Sequence, residues 1–207
     1  ETLGFSVDDV LVLQPTRVVP RKGIELAIDL VKLLDLPGTR LVVSHASGDE
    51  GTEYGAWVSE WARRQGVRLS FVDDRLREGR APGAEGTSVV SLPDLYAAAD
   101  LVAYPSIIEG FGNALLEAVY YGKPLLVNRY PVFVADIEPL GFDLVAIDGF
   151  LTAEAVGKVK ALLSDPARRG AAAKSNFDLA RRHFSFEVLR RELTRLVASL
   201  SGNGSPA

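Results

Sequence analysis

Two glutamates, Glu109 and Glu117, stand in the run YPSIIEGFGNALLEAVYYGKPLLVN (104–128), with Gly110 and Gly112 between them. An ionised carboxylate accepts hydrogen bonds and donates none, so it suits recognition of hydroxyl groups. Glycines let backbone approach a ligand with no Cβ in the way. The helix-like run 113–121 follows Gly112, and the free N–H groups at a helix N-terminus favour anions. On one regular helix the two glutamates would lie about 80° apart. With Glu109 in the loop and Glu117 in the helix, each instead reaches a different part of an extended ligand. The plainer readings are a capping or salt-bridge role for Glu117 and a solvent-facing loop residue for Glu109. A second cluster, Arg17, Arg21 and Lys22, lies in QPTRVVPRKG (14–23). Its plain alternative is a solvated basic loop. Paired carboxylates also serve glycosidases, as acid and nucleophile or base, but the glycine loop and the cations favour a nucleotide ligand.

These residues need a scaffold that brings their loops to one rim. Apolar runs at 10–13, 41–43, 67–72, 101–104, 125–127 and 144–147 read as strands. Between them, amphipathic runs at 23–34, 53–65 and 92–99 read as helices, the second with Trp57 and Trp61 at core spacing. Ser91, Thr152 and Ser185 stand as N-caps, and Asp165-Pro166 starts a further helix, to about 183. Polar loops are expected at 44–52 and 73–87, a proline-rich loop at 129–143 and a flexible tail after 200. Strands alternating with helices predict an α/β domain, a doubly wound parallel sheet of Rossmann type. Ligands of such sheets sit outside the carboxyl ends of the strands, so the loop holding Arg17 and Lys22 shares a rim with Glu109.

Composition narrows the function classes. The 207 residues are 47% hydrophobic, enough for the core of one domain. The net charge is −4, from 23 basic and 27 acidic residues, and no basic block marks a nucleic-acid surface. Without cysteine there are no disulfides, zinc–thiolate sites or thiol nucleophiles. No apolar run reaches the roughly 18 residues of a membrane span, and no His/Asp cluster has metal-ligand spacing. A P-loop and a G-x-G-x-x-G are both missing from the sequence. The opening ETLGFSVDD, with no initial methionine, suggests a piece of a longer protein, against the alternative of a small processed one.

EGFGNALLE, behind YPS and ahead of GKP, resembles the signature of the retaining GT-B glycosyltransferases of the group-1 clan, which includes glycogen synthase and sucrose synthase. Arg17 and Lys22 with Gly23 resemble the Arg-x4-Lys-Gly of that clan. The resemblance covers about 8–200 and implies the C-terminal, nucleotide-sugar-binding domain of a GT-B enzyme. Arg17 and Lys22 would hold the donor diphosphate and stabilise the charge that grows on it as the sugar leaves. Glu109 would contact hydroxyls of the donor sugar, and Glu117 those of the ribose. Amides of Phe111, Gly112 and Asn113 would face the sugar and phosphates. Arg17, Lys22 and Glu109 are thus the candidate catalytic residues, and no protein nucleophile is assigned. The base would lie against 71–75 and Ser91-Leu92. The cleft side of His45 is a weaker candidate, and His183 reads as structural. Gln14 replaces a more usual glycine, and residues 129–143 depart from the commoner Gly-Gly loop.

The function so implied is transfer of a hexose from a nucleoside diphosphate sugar to an acceptor hydroxyl, with retention, with the nucleotide sugar as substrate and without cofactor or metal. The N-terminal acceptor domain, which would supply the saccharide or small-alcohol site, is expected to precede Glu1. The chain alone would then bind donor without transferring it. The last helix, with Arg190, Arg191 and Arg195, resembles one that packs back towards that domain; a solvated amphipathic helix is the alternative. A cytoplasmic location is expected, with peripheral membrane attachment of a longer protein as a second option. Rival readings are a non-catalytic sugar-nucleotide-binding or scaffold module, and a GT-B-fold sugar-nucleotide epimerase.

Overall fold

The computed structural model describes residues 6, 8–45, 53–73 and 90–200. The expected loops beyond His45 and beyond Asp73, and the tail, lie outside the described residues. Six strands form one sheet: β1 (Leu11–Gln14), β2 (Arg40–Val43), β3 (Arg68–Phe71), β4 (Leu101–Tyr104), β5 (Leu125–Asn128) and β6 (Val145–Ile147). Their order is β3-β2-β1-β4-β5-β6 and every pairing is parallel. This is the doubly wound α/β arrangement predicted from the alternating pattern. Central strands β1, β4 and β5 are buried at every residue because helices cover both faces.

Alternation along the strands divides the interior into two cores. Val12, Leu101, Ala103 and Leu126 face one core, completed by α1 (Ile24–Leu34), α2 (Glu53–Gln65) and α5 (Ala153–Ser164). Leu11, Leu13, Val102, Tyr104, Leu125 and Val127 face the other, completed by α3 (Leu92–Ala98) and α4 (Asn113–Tyr120). Then come α6 (Pro166–Phe184) and α7 (Phe186–Leu200). Ser91 and Thr152 cap α3 and α5 as their positions predict, with Ser91 and Asp94 forming a reciprocal capping box. No helix among the described residues is long and apolar enough to cross a membrane.

Two expectations are corrected. Trp57 is not core: it is 49% exposed, stacked between Tyr54 and Trp61 along the outside of α2. Val58 and Ala62 make the buried contact of α2, and Trp61 is half-buried with its indole N–H donating to Asp29. Adjacent residues on a helix point 100° apart, so the same apolar pattern allowed the Trp stripe or the Val–Ala stripe inside. Residues 129–143 are not simply loop. They hold a π-helical turn, Phe133–Ile137, and a 3-10 turn, Glu138–Leu140, with Phe133 and Ile137 buried. Pro131 and Pro139 sit at the starts of these turns, where proline is tolerated, and there they mimic a loop signal.

Candidate functional site

The sheet reverses its order of travel between β1 and β4, and the crevice opens at their carboxyl ends. Two loops meet there, one from β1 to α1 and one from β4 to α4. Gly23 makes the meeting possible: with φ +63°, a Cβ on it would lie 2.6 Å from the Pro105 carbonyl oxygen. The Ile107 N–H donates to the Arg21 carbonyl at 2.8 Å, stitching the loops together. At the end of β1 the buried Gln14 amide donates to the Lys22 carbonyl at 2.8 Å and to Thr16 Oγ1 at 3.3 Å. A glycine could not do this; the Gln14 side chain folds the loop back on its own strand.

The loops bring Lys22 and Glu109 into direct contact. The Lys22 ammonium, at the end of a 3-10 turn (Pro20–Lys22), donates to Glu109 Oε1. The two side chains are only 11% and 10% exposed. The Tyr104 ring lies 6.0 Å below the ammonium. Burial pushes the Glu109 carboxyl up, but the Lys22 ammonium, then the nearby Ser106 and Tyr104 hydroxyls, outweigh it and hold the carboxyl below its ordinary range. Glu109 is therefore a carboxylate held by a cation, not a proton donor. Tyr104 is pushed up by burial and by that carboxylate, so its phenol stays protonated.

Glu117 projects from the middle of α4, half-buried, and accepts a hydrogen bond from the Tyr96 hydroxyl at 2.8 Å. This is neither a cap nor a salt bridge. Burial, then the Glu117 carboxylate, pushes Tyr96 up and keeps it a donor. Gly112 is the N-cap of α4 at φ +109°, where only glycine is comfortable. Behind it, the Tyr130 hydroxyl donates to the Phe111 carbonyl at 2.8 Å. The Phe111 ring meets the edge of Phe184 at the end of α6.

A cleft of about 480 Å³ joins these groups. Arg17, Lys22, Glu109, Phe111, Gly112, Asn113 and Glu117 all line it, so the structure brings together every site residue predicted from sequence. Arg17 is exposed at its mouth. Arg21, which the sequence pattern leaves in solvent or a salt bridge, is half-buried and lines the same cleft. His45 lines it too, from the end of β2. Burial lowers His45 against the opposing pull of Glu117 and Asp73, with Arg17 lowering it further, so the imidazole favours its neutral form. Of the residues expected around a base, Leu92 lines the cleft; Phe71 and Val72 pack into the cores, and Arg75 lies outside the described residues. A larger groove of about 640 Å³ between α3, α4 and α6 is mainly apolar and shares Leu92 and Glu117 with the cleft. Among the described residues no cluster of His, Asp or Glu could hold a metal ion.

Sequence reasoning missed the supporting polar residues: Gln14, Tyr96, Asn128 and Tyr130. Asn128, buried at the end of β5, donates to the Ser106 carbonyl at 3.2 Å and accepts from the Gly149 N–H at 2.8 Å. Three of the four stand at or just beyond the carboxyl end of an apolar strand, and a polar residue there is the signal that could have found them.

Residues 86–177 match the family described as Glycosyl transferases group 1. Over 95% of its length the chain is 35% identical to mannosylglucosylglycerate synthase of Thermotoga maritima, of which it covers 51%. Over 90% of its length it is 33% identical to D-inositol 3-phosphate glycosyltransferase of Segniliparus rotundus, of which it covers 39%. The chain thus spans about half the length, or less, of these curated relatives. Among solved structures, Anabaena Alr3699/HepE in complex with UDP superposes with a TM-score of 0.74 at 18% identity, over 93% of this chain and 49% of that one. Sucrose-phosphate synthase from Thermosynechococcus elongatus does so with a TM-score of 0.72 at 22% identity, over 98% and 48%. At these identities the superpositions establish the fold, of which this chain matches about half. Residues 86–177 thus carry the group 1 glycosyl transferase match, and the chain as a whole is similar to glycosyltransferases in sequence and shares their fold.

Proposed function

We propose that this chain is the donor-binding half of a retaining glycosyltransferase, which moves a hexose from a nucleoside diphosphate sugar to an acceptor hydroxyl. The observation that carries the reading is the Lys22–Glu109 contact beside the N-terminus of α4, with Glu117 on the same cleft. A cation for phosphate, a carboxylate for hydroxyls and helix N–H groups for anionic oxygen line one cleft. Alr3699/HepE, which shares the fold, has been solved with UDP and with UDP-glucose. The mapping is Lys22 and Arg17 on the diphosphate, Glu109 on the sugar, Glu117 on the ribose, and the amides of Phe111, Gly112 and Asn113 against sugar and phosphates.

The chemistry follows from these roles. The bond from the sugar C1 to the diphosphate oxygen breaks while the acceptor oxygen bonds to C1, and the acceptor proton passes to the departing diphosphate. Negative charge grows on the leaving group, where an ammonium and a guanidinium stabilise it more than they stabilise the intact donor. The acceptor, a saccharide or small alcohol, would be held by a further domain of a longer protein.

Calorimetric titration of the chain with UDP, GDP and ADP, without metal, tests the reading. One nucleotide is expected to bind, and Arg17→Ala and Glu117→Ala each to weaken it by about tenfold or more. An affinity unchanged in both variants would overturn the assignment of the cleft.

A further inference from the structure

Tyr130 stands just beyond β5, and only 1% of it is exposed. Its ring meets Tyr104 edge to face at 6.2 Å and packs on Phe133 at 5.8 Å, so the side chain has one place to be. From there its hydroxyl donates to the Phe111 carbonyl at 2.8 Å. It also fills the space beside Gly112: a Cβ built there would lie 2.1 Å from the tyrosine oxygen. The chain has no cis peptide bond among the described residues. In a trans peptide the C=O and the following N–H point in opposite directions. Drawing the Phe111 carbonyl inward to Tyr130 therefore turns the Gly112 N–H outward, to the side of the cleft that Gly110, Phe111 and Gly112 line. Among the described residues no acceptor meets that N–H.

We propose that Tyr130 is a positioning residue for the donor: by holding the Phe111–Gly112 peptide, its hydroxyl aims the Gly112 N–H at the diphosphate and sugar end of the ligand. The inference rests on the donor-binding reading of the cleft and deepens it. Phenylalanine at this position keeps the ring packing and removes only the oxygen. The peptide is then free to rotate, and an amide that must be ordered on binding contributes less affinity. The nucleoside and first phosphate, held from the Glu117 side, do not depend on this peptide.

The test is calorimetry on the wild-type chain and Tyr130→Phe, each titrated with UDP and UMP, GDP and GMP, and ADP and AMP. For the base that binds, the diphosphate is expected to lose about tenfold in affinity and the monophosphate less than about twofold. A general loosening of the fold would lower both equally, and that result overturns the inference, as does an unchanged diphosphate-to-monophosphate ratio. If the wild-type chain bound no nucleotide, the donor-binding reading would fail and take this inference with it. Wild-type binding with an unaltered ratio sinks this inference alone.

Discussion

An ammonium carries three N–H donors, and Lys22 gives one of them to Glu109. On the proposed reading the others would serve phosphate, so the same side chain would hold the carboxylate and a leaving group together. Glu109 in turn depends on Lys22 for its charge. Its ordinary value is 4.5 and its folded value is lower. A carboxyl depressed in the folded state adds stability that is fully present above the unfolded value and disappears as pH falls through the folded one. Lys22→Gln removes the chief group that lowers it, leaving burial to push the carboxyl up. The variant should therefore be less stable than wild type near neutral pH, and the difference should shrink as pH falls and Glu109 takes up a proton in the folded variant. Denaturation midpoints measured between about pH 3 and pH 6 check this, and coincident profiles would mean that the pair does not hold Glu109 ionised. His45 lines the same cleft and bears on any pH dependence of ligand binding, since a bound diphosphate would favour a protonated imidazole.

Among the elements, the loop from β1 and the loop from β4 act as one piece. Gly23→Ala places a methyl group 2.6 Å from the Pro105 carbonyl in a backbone region that disfavours any side chain. A cost of about 2 kcal/mol or more in urea unfolding is expected, together with loss of nucleotide binding, because parting the loops parts Lys22 from Glu109. A stable variant that still binds would show that the loops find their places separately. Local pattern made much of this visible beforehand. Apolar strands, the capping serine and threonine, and the glycine loop before α4 are all encoded within a few residues of where they act. What stayed hidden is encoded by contacts across the fold. Tyr96 reaches Glu117 over 21 residues and Tyr130 reaches Phe111 over 19, and neither spacing has a sequence signature. Trp57 failed for the opposite reason: its helical spacing was real but consistent with two faces of α2. Gln14 looked like a defect in a motif because a glycine's usual place says nothing of what an amide can do there.

At the scale of the molecule, α7 stands apart from the two cores. None of its residues is buried, and Phe186, Leu189, Leu193, Leu196 and Leu200 leave an apolar stripe in the open. Its arginines pair locally, Arg191 and Arg195 with Glu192, rather than with the body of the domain. Replacing Leu193 and Leu200 by glutamine should change the unfolding free energy of this chain by no more than about 0.5 kcal/mol. A larger loss in chemical denaturation would mean that the stripe is packed in solution. The sheet itself has a different consequence. β1 pairs with β4, and the Leu11 N–H is bound by Asp100, 89 residues further along the chain. Closing so long a loop is entropically expensive and gains nothing until the strands meet, so that pairing is expected late in folding. The cleft lies at the join. Until β1 and β4 pair, nothing brings Arg17 and Lys22 to Glu109, and the cleft is not assembled. Binding at the cleft would therefore report completed folding, and a tight ligand would act on the chain as a selector of its finished form.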